Sequence, residues 1–203
     1  MDLVRRSAWG AAEPTGRPVS IAAPVRYLFL HHSASPDGGP ETVRAIQQFH
    51  QKSRGWADIA YTWLYSPRDR VFYEGRGPGI AGAHTQNYNK NGHAVCVLGN
   101  YENDLLPVHA IEDLAGWAEW HRLAGWGPAV YTPHRQMGQT ACPGRNIIAV
   151  LTTINAFAEG NRPEPLGEPE PPAEPLKQLL RDDDRRWDGW GDRIAARWYE
   201  GPR

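Results

Sequence analysis

Two short stretches constrain this chain most: VRYLFLHH at 25–32 and AVCVLGNY at 94–101. The first is an apolar run of strand length that ends in two histidines; the second is apolar on both faces and places Cys96 inside it. Runs of this kind belong to strands buried in a layered α/β sheet. The residues between and after them fit that frame. PETVRAIQQFHQKSRGW predicts a helix that opens on Pro40, carries Val43, Ile46, Phe49 and His50 as its stripe, and stops at Gly55. DIAYTWLYS at 58–66 alternates, which puts Ile59, Tyr61, Trp63 and Tyr65 on one face; the SPRDR turn into VFYEG makes it a hairpin. Further on, Val108, Ile111, Leu114 and Ala118 recur at helical spacing until Gly125. AVYT is a short strand, and NIIAVLTTINAFAEG is a third amphipathic helix through Ile147, Leu151 and Ile154. The order β-α-β-β-β-α-β-α predicts the α/β class, a mixed central β-sheet with amphipathic helices packed on it.

Residues 161–175, NRPEPLGEPEPPAEP, are too rich in proline and glutamate to form an apolar face and read as a stiff, solvated linker. The expected organisation is one catalytic domain over 1–160, this linker, and a short aromatic segment over 176–203. Trp187, Trp190, Ile194 and Trp198 would share one helical face there, although Gly189 and Gly191 weaken the helix. The net charge of −1 gives the whole molecule no attraction to nucleic acid or anionic lipid. Residues 1–20 lack the apolar run of a secretory signal and no stretch approaches the length of a membrane span, so the expectation is a chain made in a cytoplasm and not inserted in a membrane. Nine tryptophans and eight tyrosines suit a binding surface for sugars and peptides, and equally suit an aromatic core.

Two cysteines in 203 residues are not a disulfide framework, which turns attention to HRQMGQTACPG at 134–144. His31 and His134 each fall at the end of a predicted strand, where α/β sheets present their ligand-binding residues, and Cys142 follows on an irregular loop. Two histidines and a cysteine are one known ligand set for catalytic zinc, with a fourth position left for water. From spacing alone, a zinc site and an incidental Cys and His on one loop remain equally open. His109 and His121 lie within a predicted helix and read as structural, His32 points to the face opposite its neighbour His31, and Cys96 reads as an inert buried thiol.

From SAWGA at 7–11 through LHHSAS, VRAIQQFHQKSRGWADIAYTWL, VFYEGRG, AGAHTQNYN, VCVLGNY and HRQMGQTACPG, the chain resembles the zinc-dependent N-acetylmuramoyl-L-alanine amidases, the family shared by peptidoglycan recognition proteins and amidase-type phage endolysins. The resemblance runs from residue 7 to about 157 in the family's order. It implies that His31, His134 and Cys142 hold Zn2+. It implies too that Tyr61 assists the bound water and the tetrahedral intermediate, and that Thr140 lies near the developing oxyanion. His50, Trp56, Arg76, His84 and Asn89 match positions that touch stem peptide or muramic acid. The implied reaction is hydrolysis of the amide between N-acetylmuramic acid and L-alanine of bacterial peptidoglycan, by a monomer.

Two departures matter. SASPDGGPETV has no cysteine where animal recognition proteins usually carry a disulfide, which favours the bacterial or phage branch. Gly77-Pro78 replaces the pair that often discriminates the third stem residue, so no preference for diaminopimelate or lysine carries over. The leading expectation is a phage endolysin held in the host cytoplasm before lysis and acting on the cell wall. The alternatives are an endogenous wall-recycling amidase, a non-catalytic peptidoglycan-binding module, and a Cys-His hydrolase with Cys142 as nucleophile and His134 as base.

Overall fold

The computed structural model describes residues 2–161. Six strands, β1 (Asp2–Val4), β2 (Tyr27–His32), β3 (Trp63–Ser66), β4 (Val71–Glu74), β5 (Gly92–Val97) and β6 (Tyr131–Pro133), form one sheet in the order β1-β4-β3-β5-β2-β6. Only the β3–β4 hairpin is antiparallel, as expected from its turn; the other neighbours run parallel. Four α-helices pack on the sheet: α1 (Arg6–Trp9), α2 (Pro40–Gln48), α3 (Val108–Leu123) and α4 (Arg145–Ala158). No helix among the described residues is long and apolar enough to cross a membrane. Asn161 apart, the expected linker and aromatic segment lie outside the described residues.

Alternation along β2 and β5 divides the core in two. Leu28, Leu30, Val95 and Val97 meet Leu114, Trp117, Ile147 and Ile154 of α3 and α4, and Phe72 stacks on Trp117 with ring centroids 3.8 Å apart. Cys96, Leu64 and Tyr73 meet Trp9 of α1 and Val43 of α2. His31 pairs in register with Cys96 and so shares the α2 side of the sheet. His32 falls on the other side, where its Nδ1 accepts the Tyr101 N–H at 3.1 Å.

Three expectations are corrected. Strand β3 begins at Trp63, not Asp58. Ile59 and Tyr61 therefore join the α2-side core while Trp63 and Tyr65 face α3. The cause is a bent, unpleated approach: the carbonyls of Tyr61 and Thr62 accept the N–H groups of Arg76 and Gly75, and a Cβ at Gly75 would collide with the Tyr61 backbone. The buried face of α2 is Val43 and Gln47, continued by His50, whereas Phe49 is 49% exposed. Gln47 turns inward because its Nε2 donates to Asp58 Oδ1 at 2.7 Å, and that carboxylate also takes the Ile59 N–H at 2.8 Å and pairs with Arg6 at 3.0 Å. Val108, placed on the inner stripe of α3, is 79% exposed at the start of that helix. β1 and α1 carry no periodicity at three and four residues; fully buried Trp9, whose indole donates to Glu74 O at 2.8 Å, anchors them.

His93 and His121 form a buried pair between sheet and α3, with His93 Nδ1 and His121 Nε2 2.9 Å apart and His121 Nδ1 2.9 Å from Pro128 O. A carbonyl can only accept, so His121 keeps its proton on Nδ1 and its Nε2 accepts from His93. That direction follows because burial keeps both rings neutral. Burial, with the neighbouring His121 as a second cause, holds His93 down to about 3, and burial holds His121 to about 4.

Candidate metal centre

β2 and β6 are parallel neighbours with Leu30 opposite Pro133, so their C-terminal ends bring His31 beside the single 3-10 turn, His134–Gln136, that follows β6. The chain then loops back, closed by Arg135 N–H donating to Cys142 O at 3.0 Å, and delivers Cys142 to the same place. Cys142 Sγ lies 3.5 Å from His31 Nδ1, the rings of His31 and His134 are 4.5 Å apart at their centroids, and one donor atom from each of the three residues lies within 4.8 Å of the others. Zinc–nitrogen and zinc–sulfur bonds of ~2.0–2.3 Å in a tetrahedron place donor atoms roughly 3.3–3.6 Å apart. The donor set therefore suits a zinc ion, and the 3.5 Å separation of Cys142 Sγ and His31 Nδ1 matches that spacing.

Two of the three donors, His31 and Cys142, are held from behind. Thr85 Oγ1 is 3.4 Å from His31 Nε2 and 3.0 Å from His84 Nδ1, which directs His31 Nδ1 toward the sulfur. Asn89 Oδ1 accepts the N–H groups of His84 and Thr85 at 2.8 and 2.9 Å and so fixes the turn that carries both. Cys142 Sγ accepts the His32 N–H at 3.4 Å, and Cys142 N–H donates to Thr140 Oγ1 at 3.2 Å. Gly144, with φ +93°, lets the loop pass against Tyr101 and Glu102, where a Cβ would collide with backbone. Glu102 in turn accepts the Arg145 N–H at 3.0 Å, holding the first residue of α4.

Burial, reinforced by His84, His134 and His32, lowers the His31 pKa well below the ordinary value, and burial lowers that of His134. Both shifts favour the neutral imidazole, the form in which histidine can bind a metal. Burial instead pushes the Cys142 thiol up to about 11, offset in part by the His32 N–H and Arg135. Binding of a cation is what would strip that proton.

A cleft of about 460 Å³ opens over the three donors. Of the residues expected at the site, His50, Trp56, Tyr61, His84 and Thr140 line it together with the donors. His50 Nδ1 accepts the Ala60 N–H at 3.1 Å, which leaves the proton on Nε2. Its ring lies 4.9 Å from Trp56 and 5.8 Å from Tyr61, and Tyr61 lies 5.3 Å from His31. Burial and the Cys96 and Cys142 sulfurs raise the Tyr61 phenol well above its ordinary value. Two expected residues are not brought to the cleft wall. Arg76 donates Nε to Ile59 O at 2.6 Å, Nη1 to Ala81 O at 2.8 Å and Nη2 to Asp58 O at 3.2 Å. Asn89 is engaged by its own turn. Thr85, Gly144 and the His32 amide were not singled out by sequence; nothing in their spacing marks them, since each acts through a contact made only after folding.

Residues 21–145 match the family described as N-acetylmuramoyl-L-alanine amidase. Among similar proteins, peptidoglycan-recognition protein SC2 of Drosophila simulans is 35% identical over 153 residues, covering 71% of this chain and 82% of that protein. The N-acetylmuramoyl-L-alanine amidase of Homo sapiens is 34% identical over 173 residues, covering 79% of this chain, which spans only 29% of that relative's length. Among solved structures, a tyrosine-to-phenylalanine variant of Drosophila PGRP-LB in complex with tracheal cytotoxin superposes with a TM-score of 0.70 at 28% identity, over 74% of this chain and 93% of that one. Peptidoglycan recognition protein-LE in complex with tracheal cytotoxin gives 0.71 at 30% identity, over 74% and 92%.

Proposed function

Since the chain belongs to the N-acetylmuramoyl-L-alanine amidase family, we propose that it is a zinc hydrolase that cleaves the amide between N-acetylmuramic acid and L-alanine of bacterial peptidoglycan. The observation that carries this reading is the convergence of His31, His134 and Cys142 donor atoms within 4.8 Å beneath an open cleft. A zinc ion bound there would supply a Lewis acid for the scissile carbonyl and a water of lowered pKa.

The chain's own groups do the rest. Tyr61 keeps its phenolic proton at any working pH and offers it as a hydrogen bond to negative charge building on the carbonyl oxygen. Thr140 Oγ1 already accepts from Cys142, so its hydrogen remains free to donate from the other flank. Neutral His50, held down to about 4 by burial and then by Arg76 and Arg54, presents Nε2–H to a peptide carbonyl, and Trp56 packed beside it forms the wall. The Cys-His hydrolase reading is disfavoured: a nucleophilic thiol needs a lowered pKa, and that of Cys142 is raised to about 11.

A chelator should abolish release of stem peptide and zinc should restore it; activity indifferent to chelation but lost on thiol alkylation would sink the metal reading. Tyr61→Phe should keep its zinc stoichiometry and fold while kcat falls by roughly 10²-fold, the scale of one lost donor to an oxyanion. An unchanged kcat would remove Tyr61 from the chemistry. The biological setting we propose is a lytic enzyme of the phage type, acting on the wall from the host cytoplasm; its support is the cysteine-free SASPDGGPETV segment, while the retained Cys142 speaks for cutting over binding alone.

A further inference from the structure

His31, Thr85 and His84 form a row of three buried groups behind the metal centre. The Thr85 hydroxyl stands in the middle, with Oγ1 3.0 Å from His84 Nδ1 and 3.4 Å from His31 Nε2. The two rings meet edge to face with centroids 5.4 Å apart, and the Phe29 ring packs beside both. Backbone holds the row in place. Asn89 Oδ1 accepts the N–H groups of His84 and Thr85, and Gly82 gives the His84 ring its room, since a Cβ there would collide with Cδ2 and Nε2 of that ring. His84 Nε2 is itself buried and has no hydrogen-bond partner among the described residues.

Counting protons gives the row a direction. A hydroxyl has one proton to donate and can accept another, whereas a neutral imidazole donates through one nitrogen and accepts through the other. His31 turns Nδ1 toward the Cys142 sulfur. With that atom spent on a metal, the ring carries its proton on Nε2, which faces Thr85 Oγ1. The Thr85 oxygen then accepts from His31 and gives its own hydrogen to His84 Nδ1, so that the proton of His84 has to stand on Nε2. With His31 Nδ1 free of metal, neither direction is imposed. The same three groups can run in reverse, from His84 Nδ1–H to Thr85 and from Thr85 to His31 Nε2.

Resting on the reading that His31, His134 and Cys142 hold zinc, we propose that Thr85 is a positioning residue that couples the metal ligand His31 to His84, so that metal binding fixes His84, a residue of the cleft wall, in its Nε2–H form. The coupling is reciprocal: whatever holds His84 in that form also favours the metal. Thr85 touches neither the metal nor the reacting atoms and acts through the two rings.

Long-range nitrogen–proton NMR of the histidine rings at neutral pH, on the full chain with and without zinc, reads which nitrogen of each ring carries the proton. With zinc, His31 and His84 should both carry it on Nε2. Thr85→Val, which keeps the shape and removes the hydroxyl, should lower zinc affinity by ~10–100-fold, the range for a lost partner behind a metal ligand. In that variant zinc should no longer fix the form of His84, and Thr85→Ser should recover both the affinity and the fixed form. A mere filling role for Thr85 would lower the melting temperature of the zinc-free chain and move neither readout. Undiminished zinc affinity in Thr85→Val would overturn the proposal, as would a His84 proton on Nδ1 in the zinc-loaded unaltered chain, a measurement that needs no variant to fold. An unaltered chain that binds no zinc would overturn the metal reading itself, and this proposal with it.

Discussion

Cys142→Ser should lower zinc affinity by at least ~10²-fold and reduce amidase activity to background, while the fold survives. Loss of a partner behind a metal ligand already costs ~10–100-fold in affinity, and loss of a ligand costs more. A second readout isolates the role of the sulfur. In the metal-free protein the Cys142 thiol, pushed up to about 11, is protonated at pH 7, whereas burial holds His31 and His134 as neutral imidazoles. Zinc binding to the unaltered chain should therefore release about one proton per ion, measured by calorimetry in two buffers of different ionisation enthalpy. Cys142→Ser should release none. Cys96→Ala should behave like the unaltered chain, because Cys96 is fully buried in the α2-side core and is not among the converging donors. A serine variant that binds zinc with undiminished affinity, or binding without proton release, would remove Cys142 from the ligand set.

Acid should unfold the metal-free protein well before its carboxylates titrate. His50, His84, His93 and His121 are buried and neutral, with pKa values held down to about 4, 3, 3 and 4 by burial first of all. In the unfolded chain each titrates near 6.5. Between these values the unfolded state binds protons that the folded state refuses, so stability is fully present above pH 6.5 and drains away as pH falls toward 4. Each such histidine contributes about 2 kcal/mol of loss between pH 7 and pH 5. Four together are of the order of a domain's whole stability of ~5–15 kcal/mol. Urea unfolding of the zinc-free chain at pH 7, 6 and 5 reads this directly. An unfolding free energy that stays level over that range would mean that these rings are charged or solvated in the folded state.

The order of strands and helices was legible from β2 onward because buried strands and amphipathic helices announce themselves by period. What period misreads is local geometry set by tertiary partners. Ile59 and Tyr61 alternate with Trp63 and Tyr65 in sequence, yet the bend held by Gly75 and Arg76 turns them to the opposite core, and that turn is what aims Tyr61 at the cleft. Gln47 reads as a surface residue until Asp58 and Arg6 are placed beside it. The π-helical turn after α2 exposes Phe49 and buries His50, and no propensity foretells it. At the site, residue types and resemblance named the three residues whose ligand atoms converge; the groups that hold them could not be named. Thr85 touches His31 across 54 positions of sequence and His32 N–H reaches Cys142 across 110. Arg76 shows the converse: its motif suggested contact with substrate, and its guanidinium is committed to three backbone carbonyls.

A zinc-dependent cut at one particular amide is read from the products of a defined muramyl pentapeptide. With zinc bound, mass spectrometry should find an intact stem peptide with L-alanine as its new N-terminus and N-acetylmuramic acid with a free lactyl carboxylate, and neither product after chelation. Cleavage at any other bond, or the same two products from protein shown to hold no zinc, would contradict the account.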